Sequence, residues 1–305
     1  MSAAKRWHKL GHLYVPSGNH PKLRSHAANP LPLHLKDDVY RIFFSGRDER
    51  NRSSVGAVDI DIEKRAVIAE HGAPFFEYGP VGSFYEAGIS IGNCYTVDGQ
   101  CYMLFMGWQT PIGGHWRGDI GRLRVTPALT LELDMEGPFM GADAIDPVSL
   151  SYPWVEPRED DGGFLMWYGS TVDWDAGNGE MLHVIKSAAS SDGHAWQRNG
   201  IAVPYQLGLA QAFSRPTVIR GDGTYHMWFS YRSGLGEHYR IGYATSDNAE
   251  NWEMKLEKTG IGVSSSGWDS DMIEYPFVFT HNGRWYMLYN GNGFGKTGFG
   301  LAIYD

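Results

Sequence analysis

The 305-residue sequence lacks features that several large classes of protein require. No apolar run approaches the roughly 20 residues that a membrane-spanning helix needs, so a membrane partner is not expected. Basic residues are outnumbered, with 26 Lys and Arg against 35 Asp and Glu, which gives a formal net charge of -9. Because phosphate backbones require a basic surface, nucleic acid is not expected as a partner either.

Cysteine is scarce, and the first residues lack the pattern of a secretory leader. The only two cysteines, Cys94 and Cys101, flank the turn VDGQ and are predicted to face each other across a hairpin. The stretch MSAAKRWHKLGHLYVPSGNH contains no apolar segment of signal-peptide length. We therefore expect a cytoplasmic location, in which both thiols stay reduced.

Aromatic residues and glycine are abundant. Aromatics make up 14% of the chain, with 11 Trp and 17 Tyr, and there are 39 Gly. This composition favours strands joined by tight turns over helices. One aromatic-rich strand pattern occurs five times: VYRIFFSGRD, QCYMLFMGWQ, GFLMWYGSTV, TYHMWFSYRS and RWYMLYNGNG.

The repeats are evenly spaced. Taking Gly46, Gly107, Gly169, Tyr231 and Gly291 as equivalent positions, subtraction of successive numbers gives spacings of 61, 62, 62 and 60. A near-constant period in a strand-rich chain indicates a repeat architecture, and each unit is long enough for the four strands of a propeller blade. Turn signals such as KDD, VDGQ, EDDGG, GDG and HNG precede the repeated strands.

The sequence therefore predicts an all-β fold, a five-bladed β-propeller that forms one domain over residues 1–305. The predicted blades are 16–70, 71–140, 141–203, 204–262 and 263–305, the last completed by 5–15. The N-terminal WHKLG resembles WQRNG at 196–200 and is expected to supply the missing fourth strand of the last blade, which removes an exposed edge. A two-sheet β-sandwich is the alternative fold.

The stretch NGNGFGKT differs by one residue from a phosphate-binding loop, G-x-x-x-x-G-K-[ST], because Asn290 replaces the first glycine. A phosphate loop needs a following helix to orient its amide groups. Here the segment lies between two predicted strands. We interpret its glycines as serving a tight turn near the propeller axis.

In a propeller, ligand groups come from equivalent positions in several blades. The openings of the five inner strands are SHAANP, FYEAG, AIDP, FSRP and IEYP, and the next strands end near the repeat positions. Both sets are expected to meet at one mouth of the central channel. They supply the candidate binding residues His26, Asn29, Arg47, Asp48, Trp108, Gln109, Trp174, Gln211, Arg215, Arg232, Asp271, Asn290 and Asn292.

Glu86, Asp146 and Glu274 stand at the openings of three inner strands and are the candidate catalytic residues. Glycosidic cleavage needs two carboxyl groups, one protonated and one ionised, and crowding in a partly dry funnel separates their pKa values in that way. Trp108 and Trp174 offer flat apolar faces to sugar rings. The competing interpretation is that an acid before a strand proline braces a turn.

The arginines also have two interpretations. Guanidinium groups match carboxylates and phosphates, so Arg47, Arg215 and Arg232 favour an acidic or activated sugar. Alternatively, Arg47 and Arg232 pair with Asp48 and Glu237. No cofactor or metal is expected, because the histidines are scattered and no cysteine pair has zinc spacing, although Asp-rich turns leave calcium open. No G-x-S-x-G elbow occurs.

Over essentially its whole length the sequence resembles the arabinanase, xylosidase and invertase superfamily of five-bladed propeller glycosidases, families 43 and 32, and especially a branch found among polysaccharide-biosynthesis proteins. The resemblance is carried by SGRDERNRSSVG, FMGW, MWYGS, HVIKSAASSDGHAW, RPTVI, YHMWFSYR, YRIGYATSD, GWDSDMIEYP and MLYNGNGFGKTGFGLA.

The resemblance implies an Asp nucleophile or base on the first inner strand, a second, supporting Asp, and a Glu acid in a later blade. Here His26 and Asn29 stand where the first Asp is expected. Asp146 fits the supporting Asp, and Gln211 stands where a Glu is possible.

Three functional hypotheses follow. The first is a carbohydrate-active enzyme that acts on a glycosidic bond in bacterial glycan metabolism or biosynthesis. The second is a non-catalytic carbohydrate-binding propeller, suggested by the absent first Asp. The third is a scaffold for partner proteins, which requires a large exposed apolar patch. The oligomeric state does not follow from the sequence.

Overall fold

The computed structural model describes residues 6–158 and 162–305, and the regular secondary structure of these residues is almost entirely β-strand. Strand β1 (Trp7–Tyr14) precedes the first blade. Blade 1 consists of β2 (Ser25–Lys36), β3 (Val39–Arg47), β4 (Ser53–Asp61) and β5 (Ala66–Glu70). Blade 2 consists of β6 (Gly88–Val97), β7 (Gln100–Gln109), β8 (Arg117–Val125) and β9 (Leu131–Leu133).

The remaining blades follow the same order. Blade 3 consists of β10 (Ser149–Pro157), β11 (Phe164–Asp173), β12 (Leu182–Ser190) and β13 (Gln197–Ile201). Blade 4 consists of β14 (Ser214–Gly221), β15 (Thr224–Tyr231), β16 (Arg240–Ser246) and β17 (Glu253–Met254), followed by a short 3-10 turn at Leu256–Lys258. Blade 5 contains β18 (Glu274–His281), β19 (Arg284–Asn290) and β20 (Phe299–Tyr304).

The five sheets are antiparallel and stand around one axis. The first strands β2, β6, β10, β14 and β18 each contact the next one, and β18 contacts β2. This ring confirms the five-bladed β-propeller and excludes the β-sandwich. The first three residues of the predicted turn EDDGG, 159–161, lie outside the described residues. No helix in the described part of the chain is long and apolar enough to cross a membrane.

The N-terminal strand closes the ring, as predicted. β1 pairs antiparallel with β20, with Trp7 opposite Tyr304, so blade 5 has the strand order β1-β20-β19-β18. The Trp7 indole is 4% exposed and packs against Trp228 of blade 4 at 5.2 Å and against Tyr304 at 4.8 Å between ring centroids. The closing strand is therefore fixed by hydrogen bonds on one side and by aromatic packing against the neighbouring blade.

We expect Trp7→Ala to lower the free energy of unfolding by about 3 to 5 kcal/mol, because it empties a buried aromatic site. Chemical denaturation followed by far-UV circular dichroism measures this loss. Trp285→Ala is a matched control, since Trp285 is half-buried and also stacks on Tyr304 without belonging to β1. Equal losses of unfolding free energy in Trp7→Ala and Trp285→Ala would contradict the claim that packing of the closing strand β1 contributes more to stability than packing of Trp285.

Each inner strand contains a β-bulge at the same place. The bulge adds one residue after Ala28, Ile91, Ser151, Ser214 and Glu274, which are therefore equivalent. In four blades the following residue is left-handed and precedes proline: Asn29 (φ 56°), Tyr152 (φ 39°), Arg215 (φ 45°) and Tyr275 (φ 52°). Bulges redirect side chains, and strained backbone conformations cluster at functional sites. Four such non-glycine residues around one axis therefore indicate a functional site at this end of the inner strands.

This register corrects the sequence alignment in two blades. In blade 3 the equivalent of Glu274 is Ser151, which precedes Tyr152 and Pro153, and not Asp146, which precedes Pro147. In blade 2 it is Ile91, and Glu86 lies before β6 begins. The three acids therefore do not occupy equivalent positions.

The segment NGNGFGKT forms one short helical turn at Asn292–Gly295 that includes left-handed Gly293 and Phe294, and β20 follows it. No helix continues from this turn, so the geometry of a phosphate loop is absent here. At Gly295 (φ 82°) a Cβ atom would lie 2.7 Å from Asn290 Nδ2 and 2.9 Å from the Ala28 backbone. Close packing near the axis therefore requires this glycine, as the sequence suggested.

Candidate functional site

A cavity of about 370 Å³ opens at the end of the propeller where the inner strands begin. All five blades contribute to its wall. The lining residues are Ala28, Asn29, Ser45, Arg47, Ser53, Ser90, Met106, Trp108, Trp116, Ser151, Tyr152, Met181, His183, Ser214, Arg232, Tyr239, Tyr275 and Phe294. The volume is at the lower end of the range for small-molecule sites, so the cavity suits a compact ligand.

The blades are joined beside this cavity by a buried arginine. Arg215, which is 2% exposed, donates to the carbonyl oxygens of Tyr275 at 2.7 Å and Pro30 at 2.9 Å. Burial lowers the pKa of Arg215 to about 9. This side chain therefore ties blade 4 to blades 1 and 5. It does not line the cavity, so the sequence prediction of a ligand contact is replaced by a positioning role.

Several polar atoms at the cavity are buried and have no hydrogen-bond partner within the described residues: Asn29 Nδ2, Ser214 Oγ and Arg232 Nε. Asn29 is 1% exposed and Ser214 is 4% exposed, and all three residues line the cavity. A buried polar group without a partner costs free energy comparable to a lost hydrogen bond. These groups are therefore available for the polar atoms of a ligand.

Glu274 is the only carboxyl group at the five bulge positions, and it directly precedes Tyr275, which lines the cavity. It is fully buried, and neither carboxyl oxygen has a hydrogen-bond partner in the described part of the chain. Burial raises the pKa of Glu274 well above its ordinary value, although the charges of Arg47 and Arg232 oppose this shift. Burial thus favours the protonated form of Glu274, which is the form that can donate a proton.

His183 and Ser151 form part of the blade 3 wall, and Thr171 contacts the histidine from outside the lining. His183 Nε2 lies 2.6 Å from Ser151 Oγ, and its Nδ1 lies 2.8 Å from Thr171 Oγ1. Burial lowers the pKa of His183 to about 3, so the imidazole stays neutral at physiological pH. Both ring nitrogens already have partners, so we interpret His183 as fixing the orientation of Ser151.

Of the two tryptophans that the sequence predicted as ligand contacts, one lines the cavity and the other does not. Trp108 lines the cavity, as expected, and its Nε1 donates to Ser53 Oγ at 3.2 Å. Trp174 does not line it, but packs edge-on against Trp116 at 4.9 Å and stacks on His115. Trp116 is the tryptophan that reaches the cavity, and Trp174 supports it from behind.

Two arginines complete the lining. Arg232 pairs with Glu180 through Nη2 at 2.7 Å and lies over the Tyr239 ring at 4.7 Å. Arg47 donates to Asn51 Oδ1 at 3.3 Å. The sequence offered two alternative ion pairs, Arg47 with Asp48 and Arg232 with Glu237. Neither pair forms within the described residues, where Asp48 pairs with Arg52 and Arg232 with Glu180. Both arginines line the cavity, and neither is held by those acids.

Asp146 belongs to a buried ionic network of blade 3. Its carboxylate accepts hydrogen bonds from Ser170 at 2.6 Å and Tyr168 at 2.9 Å, and it pairs with Lys186 at 2.7 Å and Arg198 at 2.8 Å. Burial alone would raise the pKa of Asp146, but hydrogen bonds from Lys186, Ser170 and Tyr168 lower it below its ordinary value. This carboxylate does not line the cavity, and the predicted catalytic position is corrected to a structural one.

Glu86 and two other predicted side chains brace turns. Glu86 Oε2 accepts the backbone N–H of Gly82 at 2.6 Å, and Glu86 is not one of the lining residues. Asp48 accepts from the backbone N–H of Arg50 and Arg52. Gln211 is fully buried and exchanges hydrogen bonds with Asn178. These contacts follow the turn-bracing alternative.

The candidate residues Asn290 and Asn292 of blade 5 do not line the cavity, and their side chains bond to backbone groups instead. Asn290 accepts the Asn29 N–H at 2.9 Å and donates to the Ala27 carbonyl at 2.7 Å, which fixes the blade 1 bulge. Asn292 Oδ1 accepts the N–H of Asp271 at 2.8 Å. The remaining candidates outside the lining are the exposed Asp271, Gln109 at the end of β7, and His26, whose pKa burial lowers to about 4.

Some of the lining residues that sequence reasoning missed come from third strands and loops. His183 is the second residue of β12, Tyr239 precedes β16, and Trp116 precedes β8. The repeat pattern carries no signal for them, because their segments vary in length between blades. Ser151 and Ser214 were detectable, since each precedes an X-Pro pair as Glu274 does. Within the described residues no group of three His, Cys, Asp or Glu side chains is arranged to hold a metal ion.

Comparison with known proteins identifies relatives over the full chain. Two Mycobacterium tuberculosis proteins, Uncharacterized protein Rv1502 and Uncharacterized protein MT1551, are each 40% identical to it over 301 residues, 98% of this chain and 99% of theirs. The chain belongs to their family. Sucrose-6-phosphate hydrolase of Bacillus subtilis is 26% identical over 141 residues, 46% of this chain and 29% of that protein. No protein-family model matches the chain.

Solved structures agree on the fold of this family. A structure named Glycoside hydrolase superimposes with a TM-score of 0.75 at 14% identity, covering 98% of this chain and 91% of that one. The endo-arabinase from Bacteroides thetaiotaomicron VPI-5482 gives 0.64 at 13% identity, with 93% and 95% covered. The Bombyx mori GH32 β-fructofuranosidase BmSUC1 gives 0.65 at 10% identity, with 95% and 62% covered. The expected likeness to arabinanase and invertase propellers is confirmed for the fold.

Proposed function

We propose that this protein acts on the glycosidic bond of a sugar held in the central cavity, with Glu274 as the proton donor. The observation that carries this proposal is the Glu274 carboxyl, which is buried, has no hydrogen-bond partner among the described residues and has a raised pKa. A neutral carboxylic acid is what protonation of a leaving oxygen requires. Such a group is costly to keep in a fold unless a ligand uses it.

The rest of the cavity supports a sugar as the ligand. Asn29 and Ser214 offer unmet hydrogen-bonding atoms to hydroxyl groups. Trp108 and Trp116 offer flat faces on which a sugar ring can pack. The similarity of the fold to glycoside hydrolases also supports a carbohydrate as the ligand. The reaction in this proposal belongs to bacterial glycan metabolism or biosynthesis, and the bacterial origin of the two Mycobacterium tuberculosis relatives supports the bacterial part of it.

The Glu274 carboxyl has no exposed surface, so a ligand must open the wall beside it. Phe294 is 39% exposed and belongs to the left-handed turn at Asn292–Gly295, and it has the largest exposed fraction of the lining residues. Displacement of this ring on binding would bring the leaving oxygen towards the acid. Exclusion of water by the bound sugar would then keep Glu274 protonated until transfer.

A second candidate function is sugar binding without cleavage. It is favoured by Asn29, an amide on the first inner strand where the related glycosidases are expected to carry an Asp, and by the lack of a carboxylate among the lining residues. An amide cannot activate water as a base. The two functions therefore differ in product formation and not in binding.

A panel of neutral glycosides, acidic glycosides and nucleotide sugars separates the two functions. We expect at least one compound to bind by isothermal titration calorimetry and to yield a cleaved product by mass spectrometry. Saturable binding with no product after long incubation would favour the second function. If no member of the panel binds, both functions are contradicted. The panel should include phosphate in parallel reactions, so that a reaction needing a second substrate is not missed.

A further inference from the structure

Positive charge is concentrated at the cavity of a chain whose net charge is -9. Arg47 and Arg232 both line the cavity, and the lining contains no Asp or Glu. Glu180 neutralises Arg232 in part, whereas Arg47 forms no ion pair with a described residue. Burial opposes ionisation of Glu274, which limits how far this carboxyl balances the charge of Arg47. The cavity thus keeps an excess of positive charge.

The unmet hydrogen-bonding groups are mainly donors. Asn29 Nδ2 and Arg232 Nε carry hydrogens that no acceptor in the described part of the chain receives. The guanidinium group of Arg47 has further donors beyond the single long bond to Asn51. A ligand that fits these groups must supply several acceptors and negative charge, which is the chemistry of a phosphate or carboxylate.

We infer that the cavity contains an oxyanion subsite formed by Arg47 and Arg232, with Asn29 as a further donor, beside the Glu274 carboxyl. The inference rests on the proposed function for the nature of the rest of the ligand. The subsite itself depends only on the two guanidinium groups and the amide. Arg215 has no part in it, because its Nη1 and Nη2 groups donate to the backbone carbonyls of Tyr275 and Pro30.

The oxyanion can come from two sources. It can be an acidic group of the sugar substrate, which the arginines then hold in place. It can also be inorganic phosphate that attacks the anomeric carbon in place of water. In that case a phosphate oxygen forms the new bond, the glycosidic oxygen leaves with the proton of Glu274, and hydrogen phosphate returns a proton to Glu274. No general base is needed for this step, because the nucleophile carries its own charge.

Calorimetry with inorganic phosphate, glucose 6-phosphate, glucuronate and glucose tests the subsite. We expect at least one anionic probe to bind at least tenfold more tightly than glucose, and Arg47→Gln to weaken that binding at least tenfold. Arg124→Gln is the matched control, because Arg124 is a half-exposed arginine on β8 that pairs loosely with Glu132 and does not line the cavity. Circular dichroism checks that each variant is folded.

The outcomes separate the sources and the two proposals. Glycoside turnover that requires phosphate and releases a sugar phosphate identifies phosphate as co-substrate. Tighter binding of glucose 6-phosphate or glucuronate, with turnover independent of phosphate, identifies an acidic substrate. Anion binding that persists while no glycoside is cleaved leaves the subsite standing and contradicts the proposed enzyme. Equal binding of all four probes, or equal loss in Arg124→Gln, overturns the subsite.

Discussion

Replacing Glu274 by Gln is expected to lower turnover of a cleaved glycoside by about 10²- to 10⁴-fold, the range typical of general acid catalysis. Glutamine preserves the shape of the side chain and removes the transferable proton. Ligand binding should change little, because the amide still offers a donor and an acceptor to the ligand. Initial rates and calorimetry on the same preparation measure both effects.

Glu86→Gln is the matched control for this variant. Glu86 is also an acid before an inner strand, but its carboxyl accepts the Gly82 N–H and does not line the cavity. Its replacement should leave turnover within a few-fold of the original protein. If Glu86→Gln lost activity as strongly as Glu274→Gln, the geometry of the site described here would be contradicted.

The same substitution makes a pH prediction. Because burial raises the pKa of Glu274, activity should be lost as pH rises through that raised value, and Glu274→Gln should lack this limb of the profile. The stability has the same sign. The unfolded chain releases this proton at the ordinary pKa of glutamate, whereas the folded protein retains it up to the raised pKa. The free energy of unfolding therefore falls as pH rises between these two values. Glu274→Gln is therefore expected to be at least as stable as the original protein at neutral pH.

Replacing Asp146 by Asn is expected to have the opposite pattern, with a loss of about 3 to 5 kcal/mol of unfolding free energy and no specific loss of chemistry. The amide leaves the charges of Lys186 and Arg198 without their buried carboxylate partner. Chemical denaturation at neutral pH measures the loss. Turnover of the folded fraction should stay close to that of the original protein.

The pH dependence of this loss identifies its cause. Since the pKa of Asp146 is lowered in the fold, its stabilisation is present above the ordinary value and disappears as pH falls through the lowered value. The difference between the original protein and Asp146→Asn should therefore shrink at acid pH. Asp143→Asn is a suitable control, because Asp143 also pairs with Arg198 but is exposed. A loss of turnover without a loss of stability in Asp146→Asn would return this acid to the catalytic set.

The fold was predictable from the sequence because a propeller repeats one physical unit. Each blade needs an aromatic strand, a turn and a buried third strand, so the period near 60 residues and the closing WHKLG segment were visible without coordinates. The site was only partly predictable. Asn29, Arg47, Trp108 and Arg232 were located because they adjoin the repeated strands.

The errors have a common physical origin in the bulges. One extra residue shifts which side chain faces the axis, and a proline follows the bulge in four blades. In blade 3 two prolines compete, Pro147 and Pro153, and the sequence gives no way to choose between Asp146 and Ser151. Blade 2 has no proline at its bulge, so Glu86 was misaligned there. Tyr239 and Trp116 reach the cavity from irregular loops, whose course depends on tertiary packing.

The central claim is that a sugar binds in the cavity beside Glu274 and that this carboxyl gives it a proton. The most direct measurement is a crystal structure of Glu274→Gln with a compound that the original protein cleaves. We predict the sugar inside the cavity, with its glycosidic oxygen in hydrogen-bond contact with the substituted side chain and its polar groups on Asn29 and Ser214. A sugar bound on another surface, with this cavity empty at a concentration that saturates binding in solution, would contradict the account.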